Sequence, residues 1–365
     1  MNRFPGKLAL QQRVLPKYRA PFFDLLASAC DGGMSLFTGA PRPSEGITTT
    51  DRLEVAQYRL GRNVHIFGGG IYLLRQRGLM DWLEESDPDA LIVEANARYI
   101  STPAAVDWMH DRDRPVLGWG LGLPPLSGPL AGVRERRRVD FLGQFDAMIA
   151  YSQRGAYEYA REGFPLDNLY VAHNSVSAAP AWPMPERPDS FREQPCVLFV
   201  GRLQARKNVD LLLGACAELQ NVRLVIVGDG PEREPLEMLA EEIFPAAEFV
   251  GARHGAELKV HFEEADLFVL PGTGGLAVQE AMSYGLPVIV AQGDGTQDDL
   301  VRQGNGWQVP PEDFEALVAT MKGALSDAAR LRRMGGESYR IVMEEINIGR
   351  MVETFVTALN ALTRK

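Results

Sequence analysis

At 365 residues, with 45% hydrophobic and 24% charged side chains, the chain has the makeup of a globular protein and enough length for two hydrophobic cores rather than one. Lys and Arg total 38 against 48 Asp and Glu, and the net charge of −10 arises entirely after residue 178, because residues 1–178 hold 20 of each sign. That balance excludes generic nucleic-acid binding, which needs a basic footprint.

Three cysteines, Cys30, Cys196 and Cys216, show no Cys-x-x-Cys spacing and signal neither a disulfide framework nor a zinc site, so they read as buried thiols. No apolar run approaches the roughly 18 to 20 residues that a spanning helix needs, and the first residues lack a signal-peptide pattern, so a cytoplasmic location is expected. Two segments are locally basic: Arg3, Lys7, Arg13, Lys17 and Arg19 precede the first acid, and Arg134, Arg136, Arg137 and Arg138 surround Glu135. Each reads either as a contact with an anionic membrane surface or phosphorylated acceptor, or as an ordinary solvated helix face.

In chain order, apolar runs at 34–37, 64–67, 90–93, 116–117, 147–150 and 169–171 predict strands, and amphipathic stretches at 20–29, 71–84, 103–110 and 155–162 predict helices. Four prolines within residues 178–188 resist helix and central strand alike and mark a linker, taken as 179–194 between domains at 1–178 and 195–345. From residue 196 the alternation is clearer: strands at 196–200, 222–227, 248–250 and 267–270, with helices near 209–219, 232–242, 256–264 and 276–284. Short, continuously apolar strands separated by helices describe a parallel sheet buried on both faces, so the fold class is α/β with two Rossmann-like doubly wound domains.

Candidate chemistry lies at two strand ends in the second half. After the strand at 196–200, Gly201 lets the chain turn, and Arg202 and Lys207 supply a planar fork and a point charge suited to a diphosphate. The alternative is a pair of surface cations at a helix start. After the strand at 267–270, Pro271-Gly272-Thr273-Gly274-Gly275 opens the helix beginning at Leu276, where free amides attract phosphate and Glu280 can accept from two ribose hydroxyls.

The order of Gly201-Arg202-Leu203, Lys207-Asn208, Val227-Gly228-Asp229-Gly230-Pro231, Phe249-Val250-Gly251, Ala265-Asp266-Leu267-Phe268-Val269-Leu270-Pro271 and Gln279-Glu280-Ala281-Met282-Ser283-Tyr284-Gly285-Leu286-Pro287 resembles the donor-binding domain of retaining glycosyltransferases of family 4. The likeness covers residues 196 to about 325. It implies a GT-B fold, a donor site in the interdomain cleft without metal or cofactor, a UDP- or GDP-sugar as co-substrate and a hydroxyl acceptor. It further implies that Arg202 and Lys207 hold the diphosphate, Glu280 the ribose, and the backbone near Ala252 and Arg253 the base. A helix over 347–362 would cross back onto the first domain, within a terminal segment 346–365.

Two departures stand out. Members of the family usually carry a first glutamate that contacts the donor sugar, and its position here is Gly272, in a shortened loop. Backbone amides of 273–276 would then read the sugar, or Asp294 in the following turn, unless Asp294 only forms that turn. The first half matches weakly: the histidine usual after the strand at 116–117 is replaced by Gly118-Trp119-Gly120, where Trp119 either stacks on a sugar or fills a core. Lys17 and Arg19, before the first helix, complete the acceptor-side candidates.

Other motifs weigh less. Asp111-Arg112-Asp113 reads as a polar turn, the five histidines lack metal-ligand spacing, and Phe67-Gly68-Gly69-Gly70 is a candidate acceptor-side turn. The function expected is sugar transfer from a nucleoside diphosphate sugar with retention, in surface polysaccharide or glycolipid synthesis. A nucleotide-sugar epimerase or hydrolase, and a non-catalytic sugar-nucleotide-binding protein, are the alternatives. Oligomeric state is not legible in the residues.

Overall fold

The computed structural model describes residues 2–67, 72–126, 128, 130–219, 221–274, 276–293 and 295–363. The chain divides into two compact units, Met1–Val176 with Ile348–Lys365, and Ser177–Asn347.

In the first unit the strands are β1 (Leu8–Gln11), β2 (Met34–Thr38), β3 (Gln57–Leu60), β4 (Arg62–Ile66), β5 (Leu73–Arg77), β6 (Ala90–Glu94), β7 (Val116–Gly120), β8 (Ala147–Ala150) and β9 (Leu169–Val171). Seven of them form a parallel sheet ordered β3-β2-β1-β6-β7-β8-β9. Strands β2, β6 and β8 are buried along nearly their whole length, which is why they read as apolar runs. β1 and β3 were not foreseen: β1 is short and ends on Gln11, and β3 is a largely exposed edge strand with no apolar run.

Helices α1 (Ala20–Ser28), α2 (Leu79–Ser86), α3 (Thr102–His110), α4 (Ala131–Leu142) and α5 (Gln153–Arg161) connect the strands. The helix expected over 71–84 is a strand followed by a helix. Side chains of β5 alternate between buried and exposed, the period of a strand, and Gly78 breaks the chain at φ 85° before α2. β4 and β5 pair antiparallel outside the main sheet, so the run at 64–67 belongs to a hairpin and not to the Rossmann-like sheet.

The second unit has β10 (Cys196–Val200), β11 (Arg223–Val227), β12 (Glu248–Gly251), β13 (Leu267–Leu270), β14 (Val288–Ala291) and β15 (Gly306–Val309). All pair parallel in the order β12-β11-β10-β13-β14-β15, the doubly wound arrangement whose direction reverses between β10 and β13. Its helices are α6 (Val209–Leu219), α7 (Arg233–Ile243), α8 (Ala256–Glu264), α9 (Leu276–Ser283), α10 (Thr296–Leu300), α11 (Phe314–Ala324) and α12 (Ala328–Glu344).

The proline-rich stretch read as a linker packs on this unit. Trp182 stacks on Tyr284 with ring centroids 5.2 Å apart, and Arg187 donates to the carbonyls of Phe262, Ala265 and Tyr284 at 2.7, 3.0 and 2.9 Å. The last helix, α13 (Ile348–Thr363), belongs to the first unit, where Ile348, Met351, Val352, Phe355, Val356 and Leu359 form one apolar face in its core.

All three cysteines are free and buried, and desolvation pushes each thiol up to about 12. Among the described residues no helix is long and apolar enough to cross a membrane.

Candidate functional site

At the carboxyl ends of β10 and β13, on either side of the reversal in strand order, two loops lie against each other. The first runs from Gly201 through a 3-10 turn at Ala205–Lys207 and ends on Asn208, which adopts φ 52° and starts α6. An amide side chain tolerates that left-handed geometry. The second loop holds residues 271–275 and opens α9.

Their contacts are mutual. The Thr273 amide donates to the Arg206 carbonyl at 3.0 Å, Lys207 Nζ donates to the Thr273 carbonyl at 2.5 Å, and Arg206 Nη1 donates to Thr273 Oγ1 at 3.2 Å. Gln297, buried at the start of α10, donates to the Gly274 carbonyl at 3.1 Å. Arg206 and Gln297 were not singled out from the sequence, although each adjoins a segment that was.

This packing explains the departure at Gly272. A Cβ there would meet the Arg206 carbonyl oxygen at 2.3 Å and the Lys207 backbone at 2.5 Å, so the site admits no side chain while the two loops touch. At Gly274, φ is 133° and a Cβ would meet Lys207 Nζ at 2.2 Å.

The charged groups differ in their surroundings. Arg202 is exposed and takes no partner among the described residues. Burial, with Arg206 adding like charge, pushes the Lys207 ammonium down to about 8. Glu280 is half-buried on α9 and its carboxylate has no hydrogen bond or ion pair among the described residues. Burial, the larger cause, raises its pKa, and His254 acts in the opposite sense. Arg253 follows Gly251 on the exposed turn after β12 and approaches Glu257 at 4.0 Å. Leu276 is exposed at the first turn of α9, while Gly275 and Asp294 lie outside the described residues.

The first-unit candidates separate. Gly118-Trp119-Gly120 is not a loop: all three residues lie in β7 and are buried. Trp119 has no exposed surface, stacks on Tyr151 with centroids 5.0 Å apart and packs against Phe22 and Phe355, so it fills the core and offers no face to a sugar. Side chains at the flanking glycines would strike Met148 and Tyr159. Arg19 is 8% exposed, with its guanidinium 5.6 Å from the Trp119 ring and bonded to the Ser175 carbonyl at 3.5 Å, so it too braces the core. Lys17 alone of this set is exposed. Asp111-Arg112-Asp113 is a turn in which Arg112 lies over Trp108 at 3.9 Å, and Gly68 to Gly70 fall outside the described residues.

Two parallel-sheet α/β units with this strand order define the GT-B fold of glycosyltransferases. Residues 182–340, most of the second unit, match the family described as Glycosyl transferases group 1. Among solved structures, the chain is similar to Anabaena HepE in complex with UDP (TM-score 0.70, 17% identity, 99% of this chain and 100% of that one). It is likewise similar to the apo lipopolysaccharide outer core galactosyltransferase WaaB (TM-score 0.69, 17% identity, 97% and 99%). Curated relatives include a GDP-mannose-dependent alpha-mannosyltransferase of Mycobacterium tuberculosis, 38% identical over 163 residues, 42% of each chain. Another is the sulfoquinovosyl transferase SQD2 of Arabidopsis thaliana, 37% identical over 141 residues, 37% of this chain and 27% of that one. The chain thus spans less than half the length of these curated relatives.

Proposed function

We propose that the protein is a retaining glycosyltransferase of the family 4 type that moves a sugar from a nucleoside diphosphate sugar to a hydroxyl acceptor without a metal. The observation that carries this reading is the pair of touching loops at the reversal between β10 and β13. There, among the described residues, Arg202 is unpaired and Glu280 has no partner, while Lys207 is charged but poorly solvated. Such a site is short of an anion beside its cations and of hydroxyl donors beside its carboxylate. A nucleoside diphosphate brings both.

In the reaction, the bond from the anomeric carbon to the diphosphate oxygen breaks and its electron pair leaves with the diphosphate. Arg202 and Lys207 neutralise that charge. The acceptor oxygen bonds to the anomeric carbon on the same face, and its proton passes to an oxygen of the departing diphosphate. No protein nucleophile is needed. Glu280 holds the ribose, Arg253 lies beside the base, and with no side chain at Gly272 the sugar is read by the backbone amides of Gly274 and Leu276, the Thr273 amide being already bonded to the Arg206 carbonyl.

Supporting this reading are the match to Glycosyl transferases group 1 and the likeness to a structure with UDP bound. A thermal-shift screen of UDP-, GDP-, ADP- and dTDP-sugars identifies the donor, since a ligand bound only by the native state raises its melting temperature. Incubation with that donor then reads transfer or slow hydrolysis, with turnover lowered by orders of magnitude in Arg202→Ala. Epimer formation, or binding without turnover, would replace the proposal with an epimerase or a binding protein.

A further inference from the structure

A second group of cations stands at the carboxyl edge of the first unit's sheet. The turn after β2 and the junction between β3 and β4 border a concavity of about 290 Å³, lined by Pro41, Arg42, Gly61, Arg62, Asn63 and His65 among others. Asn63 holds its frame: Nδ2 donates to the carbonyls of Arg13 and Ala40 at 2.8 and 3.0 Å, and Oδ1 accepts from Gln76 Nε2 at 3.0 Å. One amide therefore ties together the segments after β1 and β2 and both strands of the hairpin. A Cβ at Gly39 would strike it at 2.3 Å, so the frame is closely packed.

Among the described residues, no carboxylate forms an ion pair with Arg42 or Arg62 at this concavity. Glu45 is taken up by Arg13, whose Nη1 reaches both carboxylate oxygens at 2.8 and 3.0 Å, and by the Arg42 amide at 3.0 Å. Arg62 is exposed with no partner among the described residues. Arg42 lies over Tyr72 at 4.7 Å from the ring centroid, with Arg98 at 5.0 Å from the same ring, and its buried Nη2 has no hydrogen-bond partner among the described residues. His65 leans on Tyr72 with centroids 5.8 Å apart, and burial followed by the charges of Arg42 and Arg13 pushes its pKa down. Two guanidinium forks at one preformed hollow are the geometry that binds phosphate or carboxylate oxygens.

We propose that this pocket reads a compact oxyanion, a phosphate or a carboxylate, carried by the acceptor. Naming the ligand an acceptor rests on the glycosyltransferase reading; oxyanion binding in the first unit does not.

Calorimetry on the full chain with glucose 1-phosphate, methyl glucuronide and methyl glucoside tests the pocket, against an Arg42→Gln/Arg62→Gln double variant. The donor nucleotide is titrated into the same preparations. One of the two anions should bind at least tenfold more tightly than the neutral glycoside, and which one does so decides between phosphate and carboxylate. The double variant should lose that preference by tenfold or more with nucleotide affinity unchanged. Should the double variant not fold, the exposed Arg62→Gln alone should lower anion affinity about threefold. Equal binding of methyl glucoside, binding of neither anion, or anion affinity unchanged in the variants would overturn the proposal. Anion binding that depends on Arg42 and Arg62, in a protein that binds no nucleotide, would sink the glycosyltransferase reading and leave the pocket standing.

Discussion

Lys207 Nζ donates to the carbonyl oxygen of Thr273 at 2.5 Å, joining residues 66 positions apart and holding the turn after β10 against the loop that opens α9. The bond satisfies one of three ammonium protons with a neutral acceptor and leaves the charge without a counterion among the described residues, which is why burial dominates its titration.

Proton uptake should therefore accompany nucleotide binding. With a free-protein pKa of about 8, a fraction of Lys207 is neutral near that pH, and a bound diphosphate would restore the proton. Calorimetry of the donor nucleotide in buffers of different ionisation enthalpy should show uptake near pH 8, and affinity should fall above it. Lys207→Met should abolish the uptake, and no uptake in the native protein would separate Lys207 from the diphosphate. The stability term has a defined sign as well. Between about 8 and the ordinary 10.5 the unfolded chain binds a proton that the folded one has released, so this group's contribution rises with pH across that window.

Glu280 should show opposite effects on stability and on binding. Its pKa is raised by burial, so the ionised form is disfavoured in the folded chain, and the penalty grows as pH climbs above the usual value of 4.5. Glu280→Gln should raise the melting temperature at neutral pH, and the gain should vanish below pH 4.5. The same substitution should weaken nucleotide binding by about 1 to 3 kcal/mol, the worth of charged hydrogen bonds to the ribose. Unchanged nucleotide affinity would detach Glu280 from the ribose.

A glutamate placed at position 272 should not strengthen nucleotide binding. A side chain there meets backbone atoms of Arg206 and Lys207 at 2.3 to 2.5 Å, so the loops must separate. Gly272→Glu and Gly272→Ala should each cost about 1 to 3 kcal/mol by denaturant titration and lower nucleotide affinity. A stable Gly272→Ala variant with native affinity would show that the loop contact is dispensable.

Arg187 fastens the proline-rich segment through three backbone carbonyls, and burial lowers its pKa to about 10. Arg187→Met should strand those acceptors and destabilise the second unit by about 3 kcal/mol. At the entropy of unfolding typical of a domain this size, its melting transition should drop by roughly 10 °C. Calorimetric scanning that finds the transition unmoved would mean that water replaces the guanidinium at no cost.

Local residue patterns were enough for the second unit as far as α9, and the elements from β14 to α12 were not assigned from sequence. Strands such as Cys196–Val200 and Leu267–Leu270 are buried on both faces and must be apolar throughout, and α6 and α8 occupy the residues that periodicity assigned them. The same patterns merged β5 and α2 into one helix over 71–84, because a strand followed by a short helix spreads its apolar side chains much as one amphipathic helix does. The type of each candidate group at Arg202, Lys207 and Glu280 was readable from sequence, since charge and strand-end position are local properties. Only the tertiary structure decided what surrounds them. Trp119 becomes core because α1 and α13 close over β7, Gly272 must be glycine because a loop 66 residues earlier presses on it, and Arg42 and Arg62 come to one hollow because Asn63 ties their segments together. Contacts of that range depend on how elements pack, and no window of sequence contains both partners.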